Sequence, residues 1–500
     1  MGMAIKRIVI VGGGTAGWMT AAALSRLKPG VPIDITLIES DAIGTVGVGE
    51  ATIPPFQTYN RRLDLEEREW MSACQGTFKL GIHFVNWLRK GDSYFHPFGD
   101  YGYDIDGCTF PQIWLKYRLN GNSPPLHRYN AETMAAMNRK FALAPGEQRG
   151  DLPPINYAYH IDATAYARYL RGYSEKRGVV RQEGKVVDVS QHGESGFVQS
   201  VTLESGEVVS GDLFVDCSGF RGLLIEQTLK SGFTDWSKWL PCDRAVAIQS
   251  KGDGTVLPYT RATAWPAGWQ WRVPLQTRNG NGIVYCSSFM EQDEATDILL
   301  GNIDGDTLTD PNHLRFKAGY RNKPWSKNVV AIGLSGGFLE PLESTSIHLI
   351  NTGINKLISL LSLDGVTEAQ EQAFNRFTRK EYEQIRDFLI LHYHATERDD
   401  SEFWNYCRTM DIPDSLKEKM DLFRMNGTVF REDDELFTAT SWTAVMLGQG
   451  ISPIATSPVC YSIPEPGLAT EVSEIQKSID YLVSKMPSHD AFLKSYCPAV

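Results

Sequence analysis

The sequence predicts an α/β fold organised on a parallel sheet, and three observations near its start carry that prediction. Residues 8–11, Ile8-Val9-Ile10-Val11, form a continuous β-branched run, the pattern of a strand buried on both faces. The run breaks at Gly12, Gly13, Gly14 and Gly17, and residues 16–27, rich in Ala and Leu, then read as a helix. A second apolar run, 33–38, ends at the acidic Glu39.

Each of these elements has a job in a dinucleotide-binding unit. Gly12, Gly14 and Gly17 fit G-x-G-x-x-G, in which the first glycine turns the chain, the second admits a pyrophosphate and the third lets helix and strand pack closely. Gly13, Thr15 and Ala16 share that turn, and the helix N-terminus faces the phosphates. Glu39 lies near the ~20-residue offset at which a carboxylate binds a ribose hydroxyl.

Whole-chain properties narrow the partners. The chain has 500 residues, enough for more than one subdomain, and is 42% hydrophobic and 22% charged, as in a soluble globular protein. A net charge of -11 without a Lys/Arg block argues against nucleic acid and against anionic membrane surfaces, leaving a small molecule as the expected partner. The eight cysteines have no C-x-x-C spacing, so neither a metal site nor a disulfide framework is expected, and a reducing cytoplasm is the simplest setting. With the first strand starting almost at the N-terminus a signal peptide is not expected, and no apolar run reaches the ~18 residues of a membrane helix.

Further along, residues 44–54 form a second glycine-rich stretch, suited to a loop along a cofactor. Helix and strand return over 66–87, where Lys79 stands among apolar neighbours; a snorkelling surface lysine is the ordinary reading of such a residue. Residues 94–103 alternate aromatics with turn residues, including His96 and Phe98, as a pocket wall or a packed loop. Residues 162–176 read as an amphipathic helix capped by Asp162, and 185–189 and 197–203 as strands. Residues 212–219 form a buried strand ending in a polar glycine turn, where a doubly wound sheet gathers its ligand. Trp269-Gln270-Trp271-Arg272-Val273-Pro274 alternates as a strand that stops at proline. Residues 329–333 form another buried strand before the helix 347–361, and Glu343, just ahead of that helix, is placed to stabilise its end. Beyond Glu368 the chain is helical with an apolar stripe; His392 and His394, two apart, do not face each other, which argues against a metal site.

Together these segments resemble the flavin-dependent tryptophan halogenases and their indole-halogenating relatives. The resemblance runs from about residue 5 to about 399 and rests on 12–18, 47–54, 76–87 with Lys79, 269–274 with its paired tryptophans, and 338–346. It implies an α/β, Rossmann-like FAD-binding module of the flavoprotein hydroxylase type (1–360) and a mainly helical module covering the substrate (361–500). A homodimer is compatible with it.

The resemblance also implies the chemistry. FADH2 from a separate reductase, oxygen and halide give hypohalous acid, which halogenates an electron-rich ring. Gly12, Gly13, Gly14, Thr15, Ala16, Gly17, Glu39, Ala51, Val187, Leu334 and Ile347 would lie near FAD. Thr345 and Ser346 would hold the halide through backbone N–H groups, although Ser346 stands where the family usually has glycine. That change is harmless unless the position needs positive φ. Lys79 would deliver the oxidant by hydrogen bonding or as a haloamine. Glu343 would orient the oxidant and take the ring proton. Trp269 and Trp271 would separate flavin from substrate, and His96 and Phe98 would wall the aromatic ring. Trp442 and Thr443 replace a tyrosine pair that holds the amino-acid part of tryptophan, so indole or an indole-containing compound is the expected substrate. The alternatives are a tryptophan halogenase acting on free tryptophan, an NAD(P)H-dependent FAD aromatic hydroxylase and a flavin-binding scaffold.

Overall fold

A computed structural model describes residues 4–42, 49–121, 123–143, 154–463 and 465–500. Its six-stranded sheet runs in the order Trp325–Ser326, Val329–Ala331, Leu213–Asp216, Arg7–Val11, Asp34–Glu39, Val180–Glu183. All pairings are parallel except the first, with Ile8 opposite both Leu213 and Ile35. The helix Thr15–Ser25 is buried along Gly17–Ser25. Alanines on every face suit it to a helix packed on all sides, here by Ala163–Glu175 and Ser346–Leu360.

The tryptophan pair lies on Gly268–Pro274, in a seven-stranded, mostly antiparallel sheet that also carries Gly81–Val85 and Ser93–Pro97. A small sheet of Glu50–Ala51, Ala158–Ile161 and Thr77–Lys79 sets Ala51 and Lys79 on the two strands that flank Ala158–Ile161. The helices after residue 361 share the cores of the rest: Ile475, Ile479 and Leu493 join the core of the parallel sheet, and Phe388, Trp404 and Trp442 that of the antiparallel one. The helix Glu368–His394 opens with a reciprocal Thr367–Gln370 capping box. Asp162 caps Ala163–Glu175 by accepting from the Ala165 N–H, as the sequence suggests.

One expectation is overturned. Cys108 and Cys460, 352 residues apart, form a disulfide with a Cα–Cα distance of 5.7 Å. Local spacing is blind to a pairing made by the fold, and a reducing setting no longer follows from cysteine spacing. Among the described residues no helix is long and apolar enough to cross a membrane.

Candidate active site

The glycine turn has the shape that a pyrophosphate needs. Gly12 adopts φ +114, where a Cβ would meet Cys217 O at 2.3 Å, and a Cβ on Gly17 would lie 1.8 Å from Gly12 O. Gly14 faces open space, and the following helix takes no side-chain cap, so its N–H groups remain for a ligand. Glu39 packs over Gly13, receives a 3.2 Å bond from Trp18 Nε1 and is paired by Arg181. Gly333, at φ +77, approaches Ala16 within 2.8 Å of a virtual Cβ, which brings Leu334 to the same turn. Ala51 is half-buried and Ile347 buried, while Val187 is exposed on Val186–Gln191. These residues fit a dinucleotide cofactor. Residues 44–48 of the second glycine loop lie outside the described residues.

Lys79 is fully buried, not snorkelling. Its Nζ donates to Thr52 O at 3.0 Å and to Ser344 Oγ at 2.8 Å, and lies 5.0 Å from the Phe98 ring centre. Burial lowers its ammonium from the ordinary 10.5 to about 7, with Glu343 pulling the other way.

Glu343 ends the turn Pro341–Glu343 and is 1% exposed. His96 Nδ1 lies 2.9 Å from its Oε2 and 3.1 Å from Oε1, and His392 Nε2 lies 2.8 Å from Oε1. Burial alone would raise its carboxyl, but the two histidines outweigh it and hold the group at about 2. Ser344 takes the left-handed φ of 59, whereas Ser346 is the first residue of the right-handed helix Ser346–Leu360. A Ser in place of Gly at 346 therefore costs nothing in backbone geometry. That helix has no side-chain cap, and the Thr345 hydroxyl is buried without a partner.

The aromatic wall surrounds His96. Its ring meets Phe98 at 6.5 Å, Phe388 at 5.7 Å and Phe437 at 6.4 Å. Phe388 stacks on Phe437 at 3.8 Å and takes Trp442 edge-on at 4.8 Å, with Lys419 Nζ 4.6 Å over the Trp442 ring. Trp269 and Trp271 project from the same face of their strand, ring centres 6.0 Å apart. Trp269 Nε1 donates to Glu340 Oε2 at 2.8 Å, and burial raises that carboxyl to about 7.

Comparison with known proteins decides what this arrangement belongs to. The tryptophan halogenase family model matches residues 7–465. Tryptophan 6-halogenase SttH of Streptomyces toxytricini is 35% identical, covering 96% of each chain. Xcc4156, a flavin-dependent halogenase from Xanthomonas campestris, superposes with a TM-score of 0.96 at 46% identity, over 100% of this chain and 99% of its own. BrvH, a flavin-dependent halogenase from Brevundimonas sp. BAL3, gives 0.94 at 43%, over 99% of both. The chain belongs to the tryptophan halogenase family. It is an enzyme, a flavin-dependent halogenase, and neither a hydroxylase nor a scaffold.

Sequence reasoning about this halogenase missed three things. His96 is a hydrogen-bond partner of Glu343 and not only a ring wall. His392, set aside with His394 as a metal pair, faces Glu343, while His394 Nδ1 lies 3.2 Å from Cys407 O. Glu340 anchors Trp269. A histidine four residues after Phe388, on the side of the apolar stripe, was the available signal for His392.

Proposed function

We propose that this halogenase takes FADH2 from a separate reductase in the cytoplasm and halogenates indole or an indole-bearing compound that lacks a free amino-acid handle. The supporting observation is the enclosed grouping of Lys79, Ser344 and Glu343 beside the ring wall of His96, Phe98, Phe388 and Phe437.

In this reading Gly12, Gly13, Gly14, Thr15, Ala16 and Gly17 hold the pyrophosphate, Glu39 a ribose hydroxyl, and Ala51, Val187, Leu334 and Ile347 line the rest of FAD. The bound flavin supplies the oxidation of halide to hypohalous acid. Thr345 and Ser346 hold the halide at an uncapped helix N-terminus, where backbone N–H groups favour an anion. Trp269, steadied by Glu340, and Trp271 keep the organic ring off the flavin.

Lys79 binds the oxygen of hypohalous acid. As the halogen bonds to the ring carbon, the halogen–oxygen bond breaks towards oxygen, which takes a proton from Lys79 and leaves as water. The ring C–H bond then returns its electron pair to the ring, and its proton goes to Glu343 and on to restore Lys79. With Lys79 near 7, both ammonium and amine are at hand at neutral pH, so a haloamine is an alternative carrier.

Trp442 buries an indole where an amino-acid clamp would need polar atoms, which favours indole over tryptophan. With reductase, NADH, FAD and bromide, mass spectrometry should show brominated indole forming at least about tenfold faster than brominated tryptophan, the worth of one interaction of ~1.4 kcal/mol. Equal or faster turnover of tryptophan would overturn the substrate assignment.

A further inference from the structure

The buried carboxylate of Glu343 has two imidazoles against it, and their hydrogen bonds determine where the protons are. His392 lies in the last turns of the helix Glu368–His394, fully buried. Its Nδ1 is 2.8 Å from Phe388 O, and a carbonyl only accepts, so Nδ1 carries a hydrogen. In a neutral ring Nε2 would then present a lone pair to Glu343 Oε1 at 2.8 Å, two acceptors facing each other and an orphaned buried nitrogen. Such a contact is repulsive in a dry interior. One proton therefore lies between His392 and Glu343.

The second imidazole decides on which side. His96 Nδ1 sits within 3.1 Å of both carboxylate oxygens, the position of a donor shared by an ionised group. His96 Nε2 is buried without a partner and draws no charge away. Other titratable groups acting on Glu343 are Lys79 from the strand Thr77–Lys79, and Tyr94, whose own hydroxyl is buried and unpartnered. Lys79 adds positive charge and Tyr94 stays neutral, so both leave Glu343 ionised.

We propose that His392 is a positioning residue: it stands as an imidazolium against Oε1 and keeps Glu343 ionised and aimed, leaving Oε2 and its His96 partner on the substrate side to receive the ring proton. The inference rests on Glu343 as the proton acceptor of the reaction. When the ring's C–H bond breaks, its electrons stay in the ring, the proton binds the carboxylate, and His392 keeps its own proton throughout. The low pKa of Glu343, about 2, is the companion of this arrangement.

The test is the pH dependence of kcat for brominating indole in wild type, His392→Phe and His392→Gln, with flavin affinity as the check on folding. Wild type should keep its rate down to about pH 5. In His392→Phe, which fills the space without a proton, the acid limb should move up by at least about two pH units, to about pH 7. The loss should be about tenfold at pH 6 and largely recovered at pH 8. In His392→Gln, which offers an N–H but no charge, the limb should fall between the two. KM for indole should hold in all three. An equal fractional loss at every pH in both variants, or no loss in either, would overturn the inference while leaving the halogenase reading intact. A wild type that fails to brominate indole would strike at the substrate assignment instead.

Discussion

Replacing Lys79 with methionine should remove catalysis and at the same time change how stability depends on pH. The lysine is buried with its ammonium lowered from 10.5 to about 7, and at ~1.4 kcal/mol per pH unit that difference is worth about 5 kcal/mol. The sign follows from proton counting: between pH 7 and 10.5 the unfolded chain binds the lysine's proton and the folded chain does not, so wild-type stability rises with pH there. The penalty is complete below pH 7 and is relieved as pH approaches 10.5. Methionine has no such proton. Thr52 O and Ser344 Oγ lose a donor in the variant, which costs roughly 1–3 kcal/mol each at every pH and leaves the slope untouched. The stability difference between Lys79→Met and wild type, read from urea midpoints, should therefore shift in favour of wild type by about 3 kcal/mol between pH 6 and 9. A difference that stays constant over that range would refute the buried-ammonium argument, whatever the activity does.

Other expectations follow from the same geometry. Glu343→Gln should lower turnover by about 10²-fold with flavin affinity unchanged, measured by product formation and flavin titration; an unchanged rate would reduce Glu343 to a helix-end charge. Gly17→Ala puts a Cβ 1.8 Å from Gly12 O and should weaken flavin binding at least about tenfold, and an unaltered Kd would show that the turn does not hold the cofactor. Thiol titration of the denatured, unreduced chain should find six of the eight cysteines, the other two appearing only after reduction; eight at the outset would deny the Cys108–Cys460 bond.

Much of the fold was legible because its code is local. The apolar run at 8–11, the glycines after it and the alanine helix specify a βαβ unit within about forty residues, since strand burial, the positive φ of Gly12 and the close approach at Gly17 all act between near neighbours. The cap at Asp162 and the strand that ends at Pro274 belong to the same class. Lys79 and Glu343 could be picked out only through resemblance, because alone in the sequence one reads as a surface lysine and the other as a helix-end charge.

Only the tertiary structure decided what those residues experience. Lys79 is shifted because distant strands bury it, Glu343 because His96, 247 positions away, and His392 from a long helix converge on one carboxylate. Ser344, and not Ser346, takes the left-handed turn, a matter of how the loop meets the helix. Cys108 and Cys460 pair across 352 residues for the same reason. Periodicity and spacing report forces between residues close in the chain, whereas desolvation and the sharing of a proton depend on which groups the packed core brings within about 3 Å of each other, and that is set by the fold as a whole.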